Sequence, residues 1–266
     1  MDGKVTFISS RDNPLVQRVR KLAQDPGAYR KLGEVWLEGE HLCEAAVSRG
    51  RPVAQAVIAE AAWAQPVLSR LAQHARRVAV VSDNLFKAVS GLESPASIGF
   101  LMAWDTPPSP TPGVPTVVLD RLQDAGNVGT ILRSAAALGV AQVVALKGTA
   151  ALWSPKVLRA GMGAHFALQL VEAAQAADLA AALQLPLVAT SSHASAELHA
   201  TRLPDPCAWV LGHEGQGVDA ALMAQCQLVL RIPQPGGEES LNVGSAAAIC
   251  LYESLRQRLA QPPAAQ

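Results

Sequence analysis

Across the second half of this 266-residue chain, five short apolar runs alternate with five helical stretches. That alternation constrains the fold more than any other feature. Strands are expected at 116–120, 142–146, 187–190, 208–211 and 228–232, and helices at 128–138, 155–161, 174–183, 219–224 and 241–259. Short strands that are apolar throughout, each followed by a helix, predict an α/β fold with a mostly parallel sheet covered on both faces. In such sheets the ligand site lies beyond the carboxyl ends of the strands. The first part, 1–103, alternates as well, with a helix over 14–24, strands at 35–37, 53–58, 78–81 and 98–103, and helices at 41–49 and 61–73. It reads as a smaller α/β layer structure. It holds no glycine-rich phosphate loop and no cluster of metal ligands, so it is expected to bind rather than catalyse.

Between the two parts lies 104–115, with five prolines: Pro107, Pro108, Pro110, Pro112 and Pro115. Proline fixes φ and removes a donor, so neither helix nor central strand runs through. A stiff linker is predicted, dividing the chain into 1–103, 104–115 and 116–260, with a frayed tail at 261–266.

Composition excludes several classes. Half the residues are hydrophobic and 17% are charged, enough for a real core. Lysine plus arginine equals aspartate plus glutamate at 22 each, which excludes a uniformly basic coat protein but not a local basic face. The charge is uneven: 1–31 carries seven basic and three acidic residues, and 101 onward carries nine and twelve. Arg11, Arg18, Arg20 and Lys21 flank the first helix, a surface suited to phosphates or simply to solvent. Cys43, Cys207, Cys226 and Cys250 are far apart and lack a C-x-x-C pair, which argues against a disulfide framework or zinc ribbon. No apolar run is long enough to span a bilayer and no secretory leader is seen, so a cytoplasmic, metal-free protein is expected.

Three loops at the predicted carboxyl edge are unusual. In the first, Asn127 is expected to cap a helix whose stripe is Val128, Ile131, Leu132 and Ala135, with Arg133 on the polar side. The second, Leu211-Gly212-His213-Glu214-Gly215-Gln216-Gly217, has three glycines in six positions, which permits close backbone approach to a ligand. It is neither a Walker loop nor the dinucleotide fingerprint, and Glu214 suits hydroxyls or a cation better than a phosphate. The third runs from Ile232-Pro233 through two glycines to Ser240-Leu241-Asn242-Val243. Ser240 is expected to cap the last helix, whose first turns are small or apolar on every side and therefore expected to be buried. Buried in this way, Asn242 would need a partner. His165, His193, His199 and His213 show no ligand spacing and are expected in loops or at the surface.

Together, Asn127-x-Gly129-x-x-x-Arg133, Leu211-Gly212-x-Glu214-x-x-Gly217 and Ile232-Pro233 with Ser240-Leu241-Asn242-Val243 resemble the SpoU (TrmH-type) branch of the SPOUT RNA methyltransferases. The resemblance covers about 114–258. Asn13-Pro14-Leu15-Val16 and Glu38-Gly39-Glu40-His41 also resemble the family's substrate-binding domain, of a ribosomal-protein type. Gln234 and Gly244 depart from the family pattern, where methionine and a small hydroxyl residue are common.

The resemblance implies a C-terminal trefoil-knot domain behind a small RNA-binding domain, a homodimer, and S-adenosylmethionine as methyl donor. The implied acceptor is a ribose 2′-hydroxyl of structured RNA, ribosomal RNA first and transfer RNA as the alternative. It assigns catalysis to Asn127, Arg133, Glu214, Ser240 and Asn242. Donor binding is assigned to Thr190, Leu211, Gly212, Gly217, Ile232 and Leu241. Because arginine stays protonated, Arg133 is better suited to bind phosphate and steady a developing alkoxide than to remove a proton. Glu214 is left to orient neighbours or to take the proton. A competing expectation is a non-catalytic RNA-binding or ribosome-assembly factor of the same fold, which need not keep a donor pocket.

Overall fold

The computed structural model describes residues 4–91, 95–105, 109–177, 179–236 and 240–260, without the Ala173 side chain. The tail 261–266, the Thr106, Pro107 and Pro108 part of the linker, Asp178, and Gly237, Glu238 and Glu239 of the third loop lie outside the described residues. The chain forms two compact units: Met1–Thr106 with Trp153–Phe166, and Pro107–Leu152 with Ala167–Gln266.

The first unit contains β1 (Val5–Ile8), α1 (Pro14–Gln24), α2 (Ala28–Leu32), β2 (Glu34–Glu38), α3 (Glu40–Ser48), β3 (Gln55–Ala59), α4 (Glu60–Trp63), α5 (Pro66–Ala72), β4 (Arg77–Val81), α6 (Asp83–Val89) and β5 (Ile98–Ala103). The strands lie in the order β1-β4-β3-β5-β2. β1, β4 and β3 are mutually parallel; β5 is antiparallel to β3 and to β2. The expected helix over 61–73 is two helices, because Pro66 can open a helix at its first turn but cannot sit inside one. β1 and α6 were not anticipated. Ser82 caps α6 by accepting from the Leu85 amide at 3.3 Å. Gly99 in β5 makes room for Trp36, whose ring would lie 2.2 Å from any Cβ there.

The second unit contains β6 (Thr116–Leu119), α7 (Ala125–Ala137), β7 (Gln142–Leu146), β8 (Gln169–Ala174), α9 (Leu179–Leu183), β9 (Leu187–Thr190), β10 (Ala208–Leu211), α10 (Ala220–Met223), β11 (Leu228–Leu230) and α11 (Val243–Ala260). The helix between β7 and β8, α8 (Pro155–Gly161), belongs to the first unit, as does His165, which is buried rather than exposed. The order β11-β9-β10-β6-β7-β8 is parallel throughout. From β6 the sheet grows outward through β7 to β8, then restarts on the other side at β9. The strand order therefore reverses beside β6 and β10, where a crevice opens in such sheets.

The proline-rich segment differs from a free spacer. Trp104 packs edge-on to Tyr29 in the first unit. In the second, Gln142 donates to the carbonyl of Thr111 at 2.8 Å and accepts from its amide at 3.0 Å, and Gln169 donates to the Ser109 carbonyl at 2.9 Å. Prolines that cannot donate leave the segment short of internal bonds, and these two glutamines fix it to the sheet.

Candidate active site

Four loops leaving the carboxyl ends of β6, β9, β10 and β11 meet in the second unit. Three of them are joined through one side chain, because the cap of α7 is not Asn127 as expected but Asp124. The Asp124 carboxylate accepts from the Asn127 amide at 2.7 Å. Relieved of capping, the Asn127 side chain bonds outward. Its Oδ1 accepts from Asn242 Nδ2 at 2.9 Å, and its Nδ2 donates to Glu214 Oε1 at 3.3 Å. Glu214 also accepts from the amides of Gln123 and Asp124, at 3.3 and 3.1 Å. The α11 cap is likewise Asn242 and not Ser240: Asn242 Oδ1 accepts from the Gly244 and Ser245 amides at 2.9 and 3.3 Å. An Asn cap serves the orphan donors as well as Ser would, and it leaves an amide free to reach Asn127.

Asp120 and Arg121 form a second tie that sequence reasoning missed. Asp120 is buried and accepts two bonds from Arg121, at 2.8 and 3.0 Å, and one from the Asp219 amide at 2.7 Å. Arg121 also donates to Gln216 at 3.3 Å, from a backbone with φ of 57° that side chains rarely adopt. The glycine loop is thus held at Glu214, Gln216 and Asp219. His213 holds it from within, since its Nδ1 accepts from the Gly215 and Gln216 amides at 3.0 and 3.3 Å. The only signal for this tie in the sequence is Asp-Arg directly after a strand, too common to single out.

Between these loops lies a cleft of about 1040 Å³, at the upper limit of the roughly 300–1,000 Å³ typical of small-molecule sites. Of the predicted residues, Thr190, Leu211, Gly212, Glu214, Gly217, Ser240, Leu241 and Asn242 line it. Ser191, Ser192, His193, His213 and Ala246 line it too, though none was predicted to. Ile232 lies elsewhere, in a groove of about 390 Å³ with Leu198, Pro233, Ile249 and Tyr252. Arg133 is exposed and outside the cleft, with no hydrogen bond or ion pair among the described residues. Six positions beyond Asn127, it sits roughly 240° further round the helix and about 9 Å along it.

The last helix differs from expectation. Gly244, Ala247, Cys250 and Leu251 are buried, but Ile249 and Tyr252 are 40% and 59% exposed. One stripe faces α7 and β10, and a single chain covers only that stripe. At Gly244 an added Cβ would lie 3.1 Å from Asn242 Oδ1 and 3.3 Å from Thr130, so the small residue sets how closely α11 approaches α7.

Burial pushes the Glu214 carboxyl up, but hydrogen bonds from its own, the Asp124 and the Gln123 amides, and from Asn127, outweigh it and hold the group below its ordinary value of 4.5. Asp120 is also lowered: burial is outweighed by Arg121 and the Asp219 amide. A lowered carboxyl stabilises the folded loops fully above its ordinary value, and that contribution is lost as the pH falls through the lowered one. Ligand affinity at the cleft is therefore expected to be level through neutral pH and to fall on acidification below about 4.5, while strand content persists. Binding calorimetry and circular dichroism along one pH series would check this.

Gly212 gives a second expectation. A Cβ there would lie 2.1 Å from the Val218 amide nitrogen and 2.2 Å from the Gly217 carbonyl carbon. Both neighbours are backbone and cannot turn aside. Gly212→Ala is expected to cost about 1–3 kcal/mol and to weaken ligand binding more than tenfold by calorimetry, with β6 to β8 intact.

The chemistry of the wall is selective. No lysine or arginine lines the cleft among the described residues, and its one carboxylate is Glu214. Polyphosphate would find no countercharge. Backbone groups, hydroxyls, Asn242 and small apolar side chains suit a nucleoside with a cationic centre, so the residues fit S-adenosylmethionine.

A covered parallel sheet with such a cleft at its carboxyl edge defines an α/β enzyme domain of the cofactor-binding kind. The chain belongs to the SpoU rRNA methylase family, whose model matches residues 115–252, and it is a methyltransferase. It is 34% identical to an uncharacterized tRNA/rRNA methyltransferase of Synechocystis over 98% of this chain and 97% of that one. It is 32% identical to the 23S rRNA (guanosine(2553)-2′-O)-methyltransferase RlmP of Bacillus subtilis, over 92% and 97%. The structure of an AdoMet-bound rRNA methyltransferase from Sinorhizobium meliloti superposes with a TM-score of 0.82 at 26% identity, over 96% and 98%.

Proposed function

We propose that this chain transfers the methyl group of S-adenosylmethionine to a ribose 2′-hydroxyl of ribosomal RNA. The observation that carries this reading is the joining of Glu214, Asn127 and Asn242 by hydrogen bonds beside a cleft that no lysine or arginine lines among the described residues. The names of the relatives, two of them acting on ribosomal RNA, support the acceptor.

When bound, the donor supplies an electrophilic methyl on a positively charged sulfur, open to in-line displacement. The chain's task is alignment, which can contribute on the order of 7–11 kcal/mol at best. The backbone of Leu211, Gly212 and Leu241 grips the nucleoside, with Thr190 and Gly217 beside it. Ser240 and Asn242 close the far wall, and Ile232 contributes only by starting their loop. Glu214 has its oxygens engaged and its acidity increased, so it holds the three loops in register rather than taking the hydroxyl proton. Arg133, permanently charged but outside the cleft of its own chain, would act on the acceptor at the cleft of a second copy, binding the adjacent phosphate and steadying the developing alkoxide.

The first unit is the substrate-binding domain, and 116–260, less the helix grouped with that unit, is the transferase. A trefoil knot is supported by the return of α11 onto α7 and β10. A homodimer is supported by the apolar groove and by exposed Ile249 and Tyr252 on α11, which a second copy would cover. Among the described residues no helix is long and apolar enough to cross a membrane, and a ribosomal RNA substrate puts the chain in the cytoplasm. The test is to map 2′-O-methylation in total RNA with and without the gene, alongside calorimetry with the donor. One ribosomal ribose losing its methyl is the expected result. Failure to bind S-adenosylmethionine would sink the reading in favour of a non-catalytic factor.

A further inference from the structure

The two ends of the first unit's sheet carry opposite charge. β1, β3 and β4 are parallel and begin at one end, where β5 finishes and β2 begins. Lys4 stands there just before β1, Arg51 ahead of β3, Arg70 near the end of α5, and Arg76 and Arg77 at the mouth of β4. The backbone holds them together. Lys4 Nζ donates to the Gln73 carbonyl at 2.5 Å, the Arg76 amide donates to Val53 at 3.0 Å, and Arg77 pairs with Gln55 across the ladder. At the opposite end, where β1, β2, β3 and β4 finish, the chain carries Asp12, Glu40, Glu60 and Asp83, with Arg11 beside Asp12.

Arg70, Arg76 and Arg77 are exposed, and none makes an ion pair among the described residues. Like charges at one end of a sheet repel, and the described carboxylates at that end are fewer than the cations, Glu34 at the start of β2, which pairs with Arg18, and Asp105 after β5, so the surface is suited to a polyanion. Phe7 on the edge strand β1, three residues from Lys4, is 71% exposed. Phe7 pairs in register with Val80, about 10 Å along β1 from Lys4, and an exposed aromatic at that reach from a basic track is a platform for a stacked base. On the alternative surface, α1, Arg18 is neutralised by Glu34 at 2.9 Å and Arg20 donates to the Ala88 carbonyl at 3.4 Å, leaving Arg11 and Lys21. At the basic end Lys4, Arg51 and Arg70 also donate to carbonyls, of Gln73, Phe166 and Pro66, but none of them pairs with a carboxylate among the described residues.

We infer that this basic end, and not α1, is the main face on which the first unit docks RNA, with Arg76 and Arg77 on phosphates and Phe7 under a base. The inference rests on the proposed RNA substrate. It is tested on the full chain by binding of ribosomal RNA transcripts at several salt concentrations. Arg76→Ala with Arg77→Ala is expected to weaken binding tenfold or more and to lower the salt slope by about 1.8, at about 0.9 per phosphate contact. Phe7→Ala is expected to weaken binding about fivefold with the slope unchanged, since no charge is lost. Arg11→Ala with Lys21→Ala is expected to stay within threefold. Donor affinity and the melting temperature should match wild type in every variant, since these side chains are exposed.

Unchanged affinity and slope in the Arg76 and Arg77 variant would overturn the inference, as would a larger loss from the Arg11 and Lys21 pair. So would loss of binding to phosphatidylserine vesicles while RNA binding stays at the wild-type level. If the wild-type chain itself bound no RNA, the proposed function would fail instead.

Discussion

Replacing Arg133 by alanine is expected to cut methyl transfer a hundredfold or more while leaving donor affinity within about twofold. The split follows from position. Arg133 is exposed, points about 120° away from Asn127 around α7 and does not line the cleft, so donor binding has no use for it. A fixed positive charge beside an oxygen that becomes negative stabilises the transition state alone, and losing one such donor costs about 2.7–4 kcal/mol. Lysine at this position should recover only part of the rate, because it lacks the planar fork that engages a phosphate. Single-turnover transfer and calorimetry on the same preparations would measure both halves. Undiminished transfer would remove Arg133 from the mechanism, and a collapse of donor affinity would make it part of the donor site instead.

The second large effect is expected at Glu214. Alanine there leaves the Gln123 and Asp124 amides and the Asn127 side chain without their acceptor. Water can reach these donors, which limits the loss to roughly 1–3 kcal/mol, read as donor binding about 10- to 100-fold weaker. Glutamine keeps one acceptor oxygen and is expected to fall between alanine and wild type in affinity, with the rate at saturating donor little changed. A proton acceptor would behave in the opposite way. Glu214→Gln would then keep donor affinity and lose the rate, and the pH profile would lose its acidic limb. Melting temperatures would separate a loosened loop from an unfolded domain.

Element type was legible wherever local patterning carries it. The strands 187–190, 208–211 and 98–103 and the helix 155–161 lie where the apolar runs and Pro155 put them. β1 and β8 were not legible. The first is a four-residue edge strand with Phe7 and Thr6 exposed, and the second carries Glu172 within an alanine-rich run. Neither shows the continuous apolar stretch that marks a buried strand.

The motif spacing was enough to gather Asn127, Glu214 and Asn242 into one candidate site. It could not say which groups cap and which connect. A capping residue is recognised by type and position, and Asp124, Asn127, Ser240 and Asn242 all qualify. Only the packed loops decide that Asp124 and Asn242 take the caps and that Asn127 is left to bridge.

The sequence alone therefore determined the class of sheet and the family, and it grouped Asn127, Glu214 and Asn242, because periodicity and motif order are local properties of the chain. Tertiary structure alone decided that Arg121 and His213 brace the glycine loop, that Ile232 falls outside the cleft, and that a helix apolar on every side is covered on one. These outcomes depend on contacts between residues up to about a hundred positions apart, such as Asp120 with Asp219. Nothing in either segment encodes such a contact until the backbone brings the two together.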